Sequence, residues 1–360
     1  MRSGISGAHF YKEMNIMAFK IENGVLVKYT EENGVTDVVI PDEVTEIGEE
    51  AFSRCNNIVS VSISENVQKI GKYAFSFCER LEKVNIPHGV KIIEISTFYS
   101  CKSLKSIDIP DSVTEISDFA FRESGLESVT IPDSVVKIGY EAFMKCKSLK
   151  SVSLGKSLKE LGGGSFEQTA ISSIIIPENV TRIISGDFAL CPNLESVTFL
   201  GGVPQLDTTH FRNCKLKYLS VKNCDVYFIK SPDECKYASN DEKLRVYIYH
   251  SPYLFVNNDI RNNMYFMTSG DYSVKCWKYF KWAYAAAKYI HDGDEEARNY
   301  IKKSLSNFVK TYISFGDAYV ISILAESNEF FTKKNISKFI DMANESGNSE
   351  IIDIMRKLFQ

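Results

Sequence analysis

The pattern of apolar and polar positions between about residues 38 and 218 repeats with a period of 22 or 23 residues. Each copy begins with an apolar residue, at Val38, Val61, Val84, Ile107, Val129, Val152, Ile174 and Val197. A fixed period in this range is typical of a solenoid, in which each copy forms one coil. Because a single coil cannot bury its own apolar side chains, its neighbours must cover them.

Each copy opens with alternating apolar and polar residues, as in Val61-Ser62-Ile63, which predicts a short strand. A proline usually follows, and proline suits a strand end because it has no N–H to donate to a ladder. Later positions form further apolar rows, of which the strictest holds phenylalanine in all eight copies. This row contains Phe52, Phe75, Phe98, Phe121, Phe143, Phe166, Phe188 and Phe211. The rows predict a continuous core along the whole stack.

Different patterns precede and follow the repeat. Alternating segments at 19–22 and 25–29 flank Asn23-Gly24, which predicts a hairpin that closes the N-terminal end of the stack. Beyond residue 271 the period becomes helical, and helices are predicted over 272–290, 295–313, 317–326, 333–344 (with Thr332 as N-cap) and 348–359. We therefore expect a leader (1–18), a solenoid with its hairpin cap (19–250), a junction (251–270) and a helical domain (271–360).

Composition and charge narrow the function classes. The net charge is −4 and no run of Lys or Arg exceeds two residues, so nothing indicates nucleic-acid binding. No apolar segment approaches the roughly 18 residues of a membrane span. The first 20 residues contain no apolar segment of signal-peptide length. We therefore expect a cytoplasmic protein, with an extracellular location as the alternative.

Six of the nine cysteines follow the repeat: Cys55, Cys78, Cys101, Cys146, Cys191 and Cys214. Their spacing is compatible with a metal or disulfide ladder, but no Cys-x-x-Cys pair is present. Free cysteine behaves as a small buried apolar residue, so we predict reduced, buried, metal-free thiols beside the phenylalanine row. This pattern suits a reducing compartment better than a disulfide-built secreted domain.

The chain offers little that indicates catalysis. His210 is the only histidine in a repeat row, and it could form a nucleophilic Cys–His pair with Cys191 or Cys214. No third orienting group or oxyanion donor is recognisable beside them. The glycines at 162–164 lack the Lys-Ser/Thr that follows in a phosphate-binding loop. No catalytic residue, metal ligand or cofactor is therefore predicted.

The unit Ile-Pro-x-x-Val-x-x-Ile-Gly-x-x-Ala-Phe-x-x-Cys, present at 40–55 and again at 131–146, resembles the BspA-like leucine-rich repeat family. The segments 19–30 and 330–355 also resemble many bacterial members, whose helical tails are similar to ankyrin-type helix pairs. The resemblance implies binding, often to proteins or host surfaces, and carries over no catalytic residue. We predict an α/β repeat solenoid, namely a right-handed leucine-rich-repeat stack with a parallel β-sheet, followed by a small all-α domain.

The remaining candidate surface is the outward face of the predicted strands. Its candidate binding residues are Lys83, Asn85, Asp108, Thr130, Ser153 and Ile175. The many Ser and Thr residues of this face have a second explanation, because they are compatible with closely stacked strands. We predict a non-enzymatic protein–protein interaction module whose partner is a protein of unknown identity. A surface or secreted adhesin of the same fold, and a hydrolase with a cleft at the solenoid–helix junction, are the alternatives.

Overall fold

The computed structural model describes residues 18–201, 209–221, 224–228, 244–248, 278–327 and 329–358. It divides into two compact units, of which the first ends at Lys215 and the second begins at Leu216. A parallel-strand solenoid of about eight turns, followed by a small helical region, confirms the predicted architecture. The predicted leader lies outside the described residues except for Ala18, and the junction lies wholly outside them, so the boundaries between the four segments stay predictions.

The strands of the solenoid are short and numerous. In chain order they are β1 (Phe19–Glu22), β2 (Val25–Tyr29), β3 (Asp37–Val39), β4 (Glu46–Ile47), β5 (Ser60–Ser62), β6 (Lys69–Ile70), β7 (Lys83–Val84), β8 (Ile92–Ile93), β9 (Glu115–Ile116), β10 (Ser128–Thr130), β11 (Lys137–Ile138), β12 (Ser151–Ser153), β13 (Glu160–Leu161), β14 (Ser173–Ile176), β15 (Arg182–Ile183) and β16 (Ser196–Phe199). They form two rows along the stack, so most coils contribute one strand to each row.

The first row contains the predicted strands, which pair in parallel as β3-β5-β7, β10-β12 and β14-β16. It is interrupted in the fourth copy, where residues 107–109 form no strand. The second row contains two-residue strands, paired in parallel from β2 through β4 to β6 and from β8 through β9, β11 and β13 to β15. The repeat does not predict this second row, because a two-residue strand has no alternation to detect.

The segment around each core phenylalanine is a series of turns and contains no helix. The residues two before and two after it have positive φ, such as Tyr73 (56°) and Phe77 (61°) around Phe75. The N–H groups of these three residues donate to the next coil, for example Phe75 N–H to the Thr97 carbonyl at 2.9 Å. Left-handed backbone at non-glycine residues is unfavourable, and these bonds between coils stabilise it.

The phenylalanine row forms one continuous stack inside the solenoid. From Phe52 to Phe211 the ring centroids of successive coils lie 5.0–6.1 Å apart, and the ring planes differ by at most 17°. The N-terminal hairpin confirms the prediction, since β1 and β2 pair antiparallel about Asn23 and Gly24, which both have positive φ. Tyr29 of this hairpin continues the stack, with its ring 4.9 Å from that of Phe52.

The second unit contains β17 (Tyr218–Val221), β18 (Cys224–Phe228), β19 (Leu244–Ile248), α1 (Lys278–Asp292), α2 (Glu295–Phe315), α3 (Ala318–Glu326), α4 (Ile336–Ser346) and α5 (Ser349–Lys357). β17 and β18 are antiparallel, and β18 and β19 are parallel. The prediction that Thr332 caps a helix starting at 333 is wrong. Asn335 holds this segment in a turn by accepting from the Thr332 N–H and donating to the Phe330 carbonyl, so α4 begins three residues later.

Three of the helix connections use the same two-residue device. Glycines at 293, 316 and 347 have φ near 70° and directly follow helices. The next residue, Asp294, Asp317 or Asn348, accepts a backbone N–H from the first turn of the following helix. A left-handed glycine ends one helix and an Asx side chain caps the next, which makes these reversals compact.

Candidate interaction surface

Four of the six predicted binding residues lie in first-row strands. Lys83 lies in β7, Thr130 in β10, Ser153 in β12 and Ile175 in β14. All four are exposed, and Ile175 exposes 56% of its surface although it is aliphatic. Their exposure follows from the alternation of side chains along a strand, since the strand residues next to Thr130 and Ile175 face the core.

The register of the first row brings outward side chains of adjacent coils together. Thr130 lies opposite Ser153, and Ile175 lies opposite Thr198. Neighbouring strands are separated by about 4.8 Å, so a single ligand can contact several coils at once. The sequence pattern predicts this juxtaposition, because the strand positions recur at the repeat period.

Asn85 and Asp108 lie outside the strands. The Asn85 side chain accepts from the Ile63 N–H at 2.7 Å and donates to the Ile63 carbonyl at 2.8 Å. The Asn85 side-chain amide therefore makes the two hydrogen bonds with Ile63 that the backbone of a neighbouring strand would otherwise make. Asp108 is exposed and lies where the first row is interrupted. The face thus consists of three groups of strands instead of one sheet, and partner binding by the six residues stays a prediction.

The N-terminal end of the first row is polar. Lys83 lies opposite Ser60, which in turn lies opposite Asp37. Hydrogen bonds from Ser60 and Thr36 hold the pKa of the Asp37 carboxyl below its usual value, and the nearby charge of Lys83 acts in the same direction. From the fifth copy onward the outward positions hold hydroxyl and aliphatic side chains, so acidic and basic groups meet at one end of the face.

The repeat thiols form a hydrogen-bonded row inside the solenoid. Five of them are buried, as predicted, and Cys214 is partly exposed. The Cys146 thiol donates to the Phe121 carbonyl of the preceding coil at 3.1 Å, and four other thiols make the equivalent contact. Burial raises the pKa of Cys55, Cys146 and Cys214 to about 12. Cysteine attacks as the thiolate, so the row does not supply an activated nucleophile.

A second group of interest occupies the position before the core phenylalanine, which is alanine in four of the eight copies. Ser165, Asp187 and His210 replace it in three consecutive coils and are at most 1% exposed. The Ser165 hydroxyl donates to the Asp187 carboxylate at 2.7 Å, and the Ser165 N–H donates to the same oxygen. A catalytic serine instead requires a histidine base and access to substrate. This buried polar group is recognisable in the sequence, because three consecutive copies have a polar residue at the alanine position.

Within the residues that the structure describes, no group of three or more His, Cys, Asp and Glu side chains could hold a metal ion. None of the described helices is long and apolar enough to cross a membrane. The hydrolase cleft predicted at the junction lies outside the described residues.

Comparisons with known proteins agree with the repeat pattern. A family model described as a BspA type leucine rich repeat region, with six copies, matches residues 28–135 and 114–232, which together span more than half of the chain. A search of curated proteins found no match.

Among solved structures, a leucine-rich repeat protein from Bacteroides ovatus is 28% identical, with 57% of this chain and 69% of that chain covered and a TM-score of 0.39. The T. pallidum leucine-rich repeat protein is 27% identical, with 55% and 77% covered and a TM-score of 0.36. A leucine-rich cell surface protein from Faecalibacterium prausnitzii is 25% identical, with 52% and 79% covered and a TM-score of 0.25.

Proposed function

Because this chain belongs to the BspA-type leucine-rich repeat family, we propose that it is a non-enzymatic protein-interaction module. The partner is a protein, and it docks on the outward face of the first strand row. The residues that contact it are Lys83, Asn85, Asp108, Thr130, Ser153 and Ile175. One observation supports this most strongly, namely that exposed side chains of successive coils lie in register, as Thr130 does with Ser153.

The shape and chemistry of the face favour a protein over a small ligand. Strands stack about 4.8 Å apart, so the eight copies extend over roughly 40 Å. From the fifth copy onward the outward side chains are short, and they offer hydroxyl groups at Thr130 and Ser153 beside the apolar surface of Ile175. A surface of this length and mixed polarity is typical of protein–protein contacts, which combine apolar burial with dispersed hydrogen bonds.

The absence of enzymatic activity is part of the proposal. The thiol row has raised pKa values, and the Ser165 hydroxyl donates to a buried carboxylate. Neither arrangement gives a nucleophile that a substrate can reach. Both groups fill repeat positions that are otherwise occupied by core residues, so packing accounts for them.

The binding face is tested by adding two bulky charges at its centre. Asp108→Arg and Thr130→Arg, made together, change exposed side chains without entering the core. Partner capture from the lysate of the source cell, quantified by mass spectrometry, should be lost in the double variant. The circular dichroism melt should stay nearly unchanged, because surface substitutions usually alter stability by less than ~0.5 kcal/mol.

A control adds two arginine side chains elsewhere on the solenoid. Ser148→Arg and Asn193→Arg change exposed turn residues that lie outside both strand rows. This control should capture the same proteins as the unmodified chain. Full capture by the Asp108→Arg/Thr130→Arg protein would exclude the strand face and make the helical unit the next surface to test.

We propose a cytoplasmic location, and the buried unpaired thiols of the repeat support it. Unpaired thiols are common in proteins of reducing compartments. Cell fractionation of the source organism, with an antibody against the protein, tests this location. Recovery in the medium or on the cell surface would favour the adhesin alternative, which uses the same fold and the same face.

A further inference from the structure

Among the residues that the structure describes, the first strand row has an unpaired edge at its N-terminal end. β3 is the terminal strand of its sheet, which runs β3-β5-β7. The hairpin that closes the solenoid pairs only with the second row, where β2 lies beside β4. The phenylalanine stack and the second row are therefore covered at this end, whereas β3 presents its free side.

The hydrogen bonds of the flanking residues show which backbone groups face outward. The Val59 N–H donates to the Thr36 carbonyl at 2.7 Å, and the Ile40 N–H donates to the Ser62 carbonyl at 2.9 Å. The backbone hydrogen-bonding groups of Thr36, Val38 and Ile40 thus point towards β5. Because these groups alternate in direction along a strand, the N–H and C=O groups of Asp37 and Val39 point the other way. Within residues 18–201, no backbone hydrogen bond satisfies those outward groups. Such an edge is a template for a further strand.

The surroundings of this edge combine an apolar side chain with negative charge. Val39 is 63% exposed, the largest exposed fraction among the large hydrophobic residues that the structure describes. Segment 31–43 contains five acidic residues and no Lys or Arg. These are Glu31, Glu32, Asp37, Asp42 and Glu43. Asp37, Asp42 and Glu43 are exposed, and the charge of Lys83 acts on Asp37.

Charge decides which occupant suits the edge. A second copy of this chain would bring the same acidic segment against itself, and like charges across paired strands are unfavourable. A segment with basic side chains is attracted instead, and the aliphatic stem of a lysine on the same face can cover Val39. We propose that the β3 edge binds an extended basic–apolar peptide segment of a partner protein by strand addition.

The probe is a labelled peptide of four Lys-Val repeats with blocked ends, and its binding to the full chain is followed by fluorescence anisotropy. Affinity should fall as salt rises, because the pairing is partly electrostatic. A Glu-Val peptide of the same length should bind at least about tenfold more weakly. So should a Lys-Val peptide with alternate N-methylated amides, because it cannot form the ladder with β3.

The decisive variant removes one outward donor and leaves the rest of the sheet intact. Val39→Pro eliminates the N–H that points away from β5, and proline is tolerated on an edge strand. It should weaken Lys-Val binding by about threefold to tenfold, the usual effect of a net hydrogen bond. Val39→Thr keeps the N–H and nearly the same shape, so it should bind within about twofold of the unmodified chain.

Charge reversal tests the electrostatic part of the proposed peptide binding. Glu32→Lys with Glu43→Lys should weaken binding, whereas Glu178→Lys, at an exposed acidic residue of the seventh copy, should not. Hydrogen exchange should show added protection at Asp37 and Val39 when the peptide is bound. The Asp108→Arg/Thr130→Arg protein should bind the peptide normally, so binding at the strand face and binding at the β3 edge can each be disproved without the other.

Three results would overturn the proposal. Equal binding by Val39→Pro, or by the N-methylated peptide, would mean that charge alone attracts the probe. A concentration-dependent dimer that Val39→Pro abolishes would assign the edge to a second copy. Displacement of the probe by a synthetic peptide of residues 1–17, at lower concentration than unlabelled Lys-Val peptide, would assign it to the chain's own N-terminal segment.

Discussion

At the scale of single residues, the phenylalanine row explains both the regularity of the sequence and the stability of the stack. Phe143 is fully buried, and its ring lies 5.2 Å from that of Phe121 and 5.3 Å from that of Phe166. The sequence identifies this row because only one residue type recurs there. It does not reveal that the rings lie nearly parallel, because ring orientation depends on the turns of two coils at once.

Phe143→Ala should lower the free energy of unfolding by ~3–5 kcal/mol, the usual cost of truncating a buried phenylalanine. The neighbouring coils are fixed by their own hydrogen bonds, so the space left behind cannot collapse completely. Lys147→Ala changes an exposed residue four positions later and should cost less than ~0.5 kcal/mol. Urea denaturation measures both, and equal midpoints would contradict the assignment of the row.

The thiol row gives stability a dependence on alkaline pH. The pKa of the Cys146 thiol rises from 9.0 to about 12 in the folded protein, chiefly because the thiol is desolvated. As pH increases, the unfolded chain therefore loses this proton first. The contribution of Cys146 is fully present below pH 9, and it should be lost as pH rises from 9 to about 12.

Urea denaturation between pH 7 and pH 10.5 measures this loss. Cys146→Ser serves as the matched control, because serine retains a hydroxyl donor but does not titrate in this range. The free energy of unfolding should fall less steeply with pH in Cys146→Ser than in the unmodified protein. Identical slopes in the two proteins would show that the thiol is not protected from ionisation.

At the scale of elements, the sequence predicts those turns and helix ends whose backbone conformation depends on the residue types at that position. Asn23-Gly24 predicts the hairpin because both residues tolerate positive φ, and glycines 316 and 347 mark helix ends for the same reason. The left-handed residues of the turns are not recognisable, since Tyr73, Phe77 and Leu190 rarely adopt such a backbone. Bonds to the next coil stabilise them, and those bonds depend on the stack rather than on the local sequence.

The reversals between helices should be sensitive to their capping residues. The Asp317 side chain accepts from the Val320 N–H at 3.1 Å and is fully buried. Asp317→Ala should therefore lower the free energy of unfolding by about 1 kcal/mol, the usual cost of losing an N-cap. Glu326→Ala, at an exposed position in the same helix, should cost much less. Equal thermal midpoints for the two variants would exclude Asp317 as a cap that contributes to stability.

At the scale of the whole molecule, the second strand row carries an alternating series of charges. Its first positions are Glu46, Lys69, Ile92, Glu115, Lys137, Glu160 and Arg182. The strand register places Glu46 beside Lys69. It also places each residue beside the next in the series from Ile92 to Arg182. The Lys137 ammonium lies 2.9 Å from the Glu115 carboxylate. The repeat period predicts the fold of each coil, and the order of the charges adds favourable contacts between neighbouring coils.

Removing one whole coil should test this order. Deletion of residues 84–106 removes the copy with Ile92 and brings Lys69 beside Glu115. Deletion of residues 129–151 removes the copy with Lys137 and brings Glu115 beside Glu160. Each deletion removes 23 residues and one core phenylalanine. Opposite charges on adjacent strands are favourable and like charges are unfavourable by up to about 1 kcal/mol, so the 84–106 deletion should be more stable by about 1 kcal/mol or more.

Glu160→Gln then separates charge from any other difference between the deletions. In the full chain Glu160 lies between Lys137 and Arg182, so its neutralisation should lower the free energy of unfolding slightly. In the protein that lacks residues 129–151, Glu160 lies between Glu115 and Arg182, so the lost repulsion offsets the lost attraction and the same substitution should leave the free energy of unfolding nearly unchanged. A smaller loss in the deletion protein than in the full chain, measured by urea denaturation, is expected only if neighbouring coils interact through this row. Equal losses in the two proteins would show that these charges do not contribute to the contact between coils.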